Sequence, residues 1–244
     1  MQLLSWQQAR VRVPLFSPLI PKNPESIGVL SDALPINLWS MYAVRHALIF
    51  DFDGVVADTE RLYWRAWSLL FASHGISFSW DDYCRFCRGM SELQMLETLP
   101  QLASEPALRS ILRERMDERR QLVRSWCAER SPVSPATVNM LKELRGYRLG
   151  LVTSSDRDDV EPLLRAAGIH DCFTALVYSE DTHRHKPDPE PYLLVRKRMG
   201  FETGLAFEDS DAGLASARSA GLTAIRVDHP ENLPALVSSS LSVG

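Results

Sequence analysis

Ala47-Leu48-Ile49-Phe50-Asp51-Phe52-Asp53-Gly54-Val55-Val56-Ala57-Asp58-Thr59-Glu60 is the stretch on which the reading turns. Four consecutive apolar residues stop at two carboxylates and a glycine. That is the pattern of a central parallel strand, covered on both faces, whose carboxyl end opens onto a site. Alternation along an extended chain points Asp51 and Asp53 to the same side, and Gly54 lets the backbone turn sharply near a ligand. Two carboxylates at the end of a buried strand are costly to desolvate unless a cation or hydrogen bonds compensate. Something positive is therefore expected beside them. A surface turn capped by aspartates is the bland alternative, and it would need no partners elsewhere in the chain.

Working outward, further apolar runs end in polar residues. Arg148-Leu149-Gly150-Leu151-Val152 stops at Thr153-Ser154-Ser155, and Thr174-Ala175-Leu176-Val177-Tyr178 stops at Ser179-Glu180-Asp181. Leu205-Ala206-Phe207 stops at Glu208-Asp209, and Thr223-Ala224-Ile225-Arg226-Val227 closes the series. Helical patterns lie between them at 136–145, 160–167, 189–199 and 213–220, three of them followed by Gly168, Gly200 or Gly221, where a helix C-cap belongs. Strand and helix in alternation imply a parallel sheet covered on both faces, with ligands at the carboxyl ends of the strands. The interval 61–130 breaks the alternation and reads as an inserted helical domain. Within it, residues 105–124 carry alternating charge and read as one long solvated helix.

Composition sets the outer bounds. The 244 residues are 45% hydrophobic and 24% charged, as in an ordinary globular protein of one large or two modest domains. A net charge of -4 and a pI near 5.9 give no bulk electrostatic pull toward nucleic acid or an anionic membrane. No apolar run approaches the ~20 residues of a membrane span. The four cysteines make no disulfide framework, which fits a reducing cytoplasm, and Cys84 and Cys87 lack the second pair that would complete a zinc site. Residues 1–44, with five prolines and no periodicity, read as a poorly ordered extension. The segment lacks the order of a secretory signal; its few acids leave a transit peptide open, and Met41 is an alternative start.

The remaining strand ends supply the missing partners. Thr153 and Ser154 offer hydroxyl and backbone donors suited to phosphate oxygens. Lys186 precedes Pro187-Asp188-Pro189, a rigid turn leading into a helix. Glu208 and Asp209 add oxygen ligands of the kind a hard cation such as magnesium prefers. Four motifs in this order, DFDGVVADTE (51–60), VTSSD (152–156), KPDPEPYL (186–193) and FEDSDAGLASARSAGL (207–222), resemble the haloacid dehalogenase superfamily, in its branch of capped phosphatases and β-phosphoglucomutase-like enzymes. The resemblance covers roughly residues 45–235. It implies an α/β protein with a Rossmann-like parallel-sheet core at 45–60 and 131–235, helices on both faces, an all-helical cap inserted at 61–130, and a tail at 236–244.

The family mechanism, carried over by the resemblance, makes Asp51 the nucleophile that forms an aspartyl phosphate, and Asp53 the general acid and base. Thr153 would hold the phosphoryl oxygens and Lys186 would neutralise Asp51. Magnesium would sit on Asp51, the backbone carbonyl of Asp53, and Asp209, with Glu208 in or near its shell. Asp53 argues against carbon–halogen cleavage, which has no alkoxide to protonate. A sugar phosphomutase is the alternative to hydrolysis; the best known ones carry histidine four residues after the motif threonine, where this chain has Tyr63. Thr59 is expected to begin the cap helix beside a hinge, and Ser154, Arg88 and Thr59 are the candidate substrate contacts. His183 and His185 make the loop before Lys186 basic and read as solvated. A receiver domain shares the inventory but orders its acids differently and has no insert. A fold-retaining binder would not need this full set. The expected substrate is a small phosphorylated metabolite, a sugar phosphate or phosphoglycolate-like ester, turned over by a monomer.

Overall fold

In the computed structural model, which describes residues 46–144 and 146–242, β1 (His46–Phe50) is the middle strand of a five-stranded parallel sheet ordered β3-β2-β1-β4-β5. Its neighbours are β2 (Arg148–Val152) and β4 (Thr203–Glu208), with β3 (Ala175–Val177) and β5 (Thr223–Arg226) at the edges. A strand enclosed on both sides must be apolar on both sides. Leu48 and Phe50 enter one core with Leu149, Leu151 and Phe207, while Ala47 and Ile49 enter a second with Val152, Tyr192 and Val195. Phe50 stacks on Phe207 at 5.1 Å between ring centroids, which fixes the two strands on either side of the future site. The expected α/β class, with helices on both faces of a parallel sheet, holds.

Helices follow the strands in alternation: α6 (Pro135–Glu143) before β2, α7 (Arg157–Ala166) after it, α8 (Glu190–Met199) before β4, and α9 (Asp211–Ser219) before β5. Gly168, Gly200 and Gly221 all take positive φ at or just past helix ends, where the sequence placed them. The strand order reverses at β1, so the carboxyl ends of β1, β2 and β4 open a crevice there. Residues 1–44, with the transit peptide and the alternative start at Met41, lie outside the described residues. The expected tail from 236 is instead part of α10 (Leu233–Ser242), because Leu233 and Val237 share a helical face buried against the core.

Between β1 and β2 run α1 (Glu60–Ala72), α2 (Trp80–Phe86), α3 (Glu92–Thr98), α4 (Pro106–Glu114) and α5 (Met116–Glu129). The segments entering and leaving this insert are tied together by the Asp58 amide, which donates to the Pro132 carbonyl at 2.9 Å. The charged stretch 105–124 is not one solvated helix. It breaks at Arg115, which closes α4 and opens α5, and Arg119 is fully buried. Charge alternation hid a stripe at helical spacing, Leu112, Met116, Val123 and Cys127, that packs into the core with Arg119 in its middle. No helix among the described residues is long and apolar enough to cross a membrane.

Candidate active site

The carboxyl ends of the strands converge as the alternation demands. Asp51 is 4% exposed, and its Oδ1 accepts the Phe52 amide at 2.7 Å and faces the Lys186 ammonium at 3.1 Å. Lys186 also meets Glu208 Oε1 at 2.6 Å and donates to the Val152 carbonyl at 3.0 Å. One buried cation thus bridges the ends of β1, β2 and β4. Burial acts to strip its proton, but Asp51 and Glu208 outweigh it and raise the pKa, so the lysine is held charged. Burial and then Asp51 push the Glu208 carboxyl well up, with Lys186 opposing. The Tyr192 hydroxyl donates to Glu208 as well.

Asp53 is held apart from that cluster. Thr59 Oγ1 donates to its Oδ1 at 2.5 Å, and Ser155 Oγ donates to its Oδ2 at 2.6 Å, with Thr153 Oγ1 more distant at 3.3 Å. Burial, then Asp51, raises its pKa to about 6, against the pull of the two hydroxyls. A carboxyl poised there can both give and take a proton near neutrality. Thr59 does begin α1, as expected, but its side chain makes no helix-cap bond; its hydroxyl donates to Asp53 instead. Thr153 likewise leans on Asp53. Ser155, which the sequence reading passed over inside Thr-Ser-Ser, makes the shorter contact.

Asp51, Glu208 and Asp209 bring carboxylate oxygens within 4.8 Å of one another, all buried. Asp209 Oδ1 and Glu208 Oε2 have no hydrogen-bond partner, and burial, then Asp51, raises Asp209 to about 6. Three clustered buried carboxylates, two of them with an oxygen that has no hydrogen-bond partner, suit a hard divalent cation. Gly54 preserves the approach: its φ is +72°, and a Cβ there would stand 2.2 Å from Asp209 Oδ2. Asp53, expected to contribute a backbone carbonyl, keeps its carboxylate outside this group. His183 and His185 do not join it; it is the one such cluster among the described residues.

Over this floor the insert lays a wall of Glu60, Tyr63, Tyr83, Glu92 and Arg119, which with Asp51, Asp53 and Ser154 lines one cavity. Arg119 NH2 meets Glu92 Oε2 at 2.5 Å and, across from the insert, Asp159 Oδ2 of α7 at 2.7 Å. Arg120 and Arg124 extend the clasp to Asp156 and to the Asp158 carbonyl. Arg88 does not line the cavity. Its guanidinium bonds the Asp209 carboxylate at 2.7 Å, drawn there by a buried anion short of partners. Ser154 lines the cavity, but its hydroxyl donates to the Gly89 carbonyl of the insert at 3.0 Å. The cavity's cation is Arg119, whose place in an apolar stripe was the signal available in the sequence. Glu60 is the third residue missed, after Ser155 and Arg119: burial, then Asp209 and Asp53, raise it to about 8.

Comparison with known proteins agrees with this geometry. A family model described as haloacid dehalogenase-like hydrolase matches residues 48–227, and the chain belongs to that family, in its capped phosphatase branch. Among its relatives, the phosphorylated carbohydrates phosphatase of Thermotoga maritima is 32% identical over 181 residues, 73% of this chain and 83% of the relative. The fructose-1-phosphate phosphatase YqaB of Escherichia coli is 28% identical over 198 residues, 77% of this chain and 98% of the relative. The β-phosphoglucomutase structure from Clostridium difficile superposes with a TM-score of 0.65 at 23% identity, covering 78% of this chain and 87% of that one. At that identity the likeness is one of fold.

Proposed function

We propose that the chain is a magnesium-dependent phosphatase that hydrolyses a small phosphate monoester through an aspartyl phosphate on Asp51. The observation that carries the reading is the pairing of two differently treated carboxyls. Asp51 is neutralised by Lys186 at 3.1 Å, while Asp53 is hydrogen-bonded, raised to about 6 and free of any ammonium. One is equipped as nucleophile and the other as acid and base.

Both contacts to the Asp51 carboxyl fall on Oδ1, which leaves Oδ2 as the attacking oxygen. It forms a bond to phosphorus as the ester P–O bond breaks, and the departing alkoxide takes the proton of Asp53. Water then gives a proton to Asp53 and bonds to phosphorus, and the P–O bond to Asp51 breaks to release phosphate. Lys186 lowers the negative charge that the incoming phosphate meets. Thr59 and Ser155 hold the Asp53 carboxyl at the angle the leaving oxygen needs. Asp51, Asp209 and Glu208 would hold the magnesium ion, whose charge offsets repulsion between phosphate and carboxylate. The insert acts as a cap, and its clasp on α7 excludes water from the closed site.

Assay of p-nitrophenyl phosphate with purified protein tests the reading. Turnover that requires magnesium and disappears in Asp51→Asn is expected. No turnover, or turnover untouched by that substitution, contradicts it.

A further inference from the structure

The insert-side wall of the cavity is chemically one-sided. Among the described residues, Arg119 is the one cation lining the cavity, against the carboxyls of Asp51 and Asp53 on its floor, Asp159 on α7, and Glu60 and Glu92 on the insert. That cation is already taken, since its NH2 is shared by Glu92 and Asp159 at 2.5 and 2.7 Å. Four buried polar atoms on the wall nevertheless have no partner: Arg119 Nε and NH1, Glu60 Oε2 and the Tyr63 hydroxyl. Arg119 is 0% exposed, Tyr63 7% and Glu60 8%. Buried groups left unpaired are costly, so they define what a ligand must bring.

Two of the four atoms are donors only, on Arg119. The Tyr63 hydroxyl can give or accept, and Glu60 Oε2 accepts or, when protonated, donates. Sugar and polyol hydroxyls both donate and accept, so they can satisfy the whole set. A second phosphate or a carboxylate can only accept. It would meet an arginine whose charge two carboxylates already cancel, with Glu60 alongside. Trp67 Nε1 donates to Glu92 Oε1 at 2.9 Å, which keeps that carboxylate turned toward Arg119 and unavailable for rearrangement. Trp67 and Met95 complete the wall with apolar surface, which suits the carbon face of a polyol.

Resting on the phosphatase reading, we propose that this wall selects the leaving group: esters of uncharged, hydroxyl-bearing groups are taken, and esters that carry a second anion are rejected. The Arg119–Glu92–Asp159 arrangement is then a selectivity element, and phosphoglycolate and bisphosphates fall outside the substrate class.

The test compares kcat/KM for matched pairs in magnesium: hydroxyethyl phosphate against phosphoglycolate, glycerol phosphate against phosphoglycerate, and a hexose monophosphate against the hexose bisphosphate. The member without a second anionic group is expected to be better by at least about tenfold, as one like-charge encounter in a half-screened cavity requires. Glu92→Gln should move each ratio toward the anionic member, mainly through KM, and Arg119→Gln should move it away. The wild-type ratios stand even if a variant fails to fold. Equal or better turnover of the anionic members, with p-nitrophenyl phosphate hydrolysed normally, overturns the selectivity proposal alone. Absence of p-nitrophenyl phosphate turnover overturns the phosphatase reading with it.

Discussion

Replacing Lys186 by methionine tests how far one cation organises the site. The ammonium, 2% exposed, sits 2.6 Å from Glu208 Oε1, 3.1 Å from Asp51 Oδ1 and 3.0 Å from the Val152 carbonyl. Methionine is close in length and apolar, so the cavity left behind is small and the loss is electrostatic. Removing one partner of a buried ion pair costs about 3–5 kcal/mol because the other charge stays behind. Here two carboxylates stay behind, but they shared one lysine, and Glu208 can take a proton, so the two losses do not add. The expected destabilisation is therefore ~3–5 kcal/mol at mildly alkaline pH, a large part of the 5–15 kcal/mol typical of a domain. The sign with pH follows from the carboxyls. Glu208 and its neighbour Asp209 have raised pKa values, so their protonation relieves the repulsion and the deficit shrinks as pH falls. Urea unfolding of wild type and variant at two pH values measures it, and Lys186→Met with Glu208→Gln should recover part of the loss. A deficit below about 1 kcal/mol at alkaline pH, or one that grows on acidification, refutes the reasoning.

Three further outcomes follow from named contacts. Thr59→Val removes the donor that holds Asp53 at 2.5 Å and favours its charged form; the alkaline limb of kcat/KM should move up by about one pH unit, the equivalent of a charge-assisted hydrogen bond. Gly54→Ala forces a side chain into φ +72° and against Asp209 Oδ2 at 2.2 Å; a stability loss of about 1–3 kcal/mol and weaker magnesium activation, seen in thermal unfolding and metal titration, are expected. Glu60→Gln removes a carboxyl raised to about 8 from an ordinary 4.5, so wild-type stability should fall as pH rises across that window while the variant falls less, by roughly 1–2 kcal/mol in the unfolding free energy from urea titrations at its two ends.

The core was readable because its strands carry the signature of burial. Ala47-Leu48-Ile49-Phe50 has no polar position to spare, and the residues that stop each run are the ones that meet at the sheet's carboxyl edge. Asp51, Asp53, Glu208 and Asp209 could be named because a strand end fixes a side chain's place without knowledge of its neighbours, and Lys186 because it stands before the rigid turn Pro187-Asp188-Pro189. The insert obeys no such rule. Arg119 reads as one charge among many in 105–124, and only its stripe partners Leu112, Met116, Val123 and Cys127 disclose that it points inward. Arg88 was read in the opposite sense, as a substrate contact, although Asp209 claims it. Ser155 and Glu60 were hidden for another reason: each gains meaning from a residue far away in sequence, Asp53 for the serine and the Asp209 carboxyl for the glutamate. Long-range pairing is a property of the fold and leaves little local trace.

A covalent role for Asp51 requires a phosphorylated enzyme during turnover, which rapid acid quenching would trap. Peptide mass analysis of the quenched enzyme should find one added phosphoryl group on the peptide spanning 51–60, placed on Asp51, and none in Asp51→Asn. Steady turnover with no phosphoryl on that peptide, or with the phosphoryl on another residue, would contradict the account.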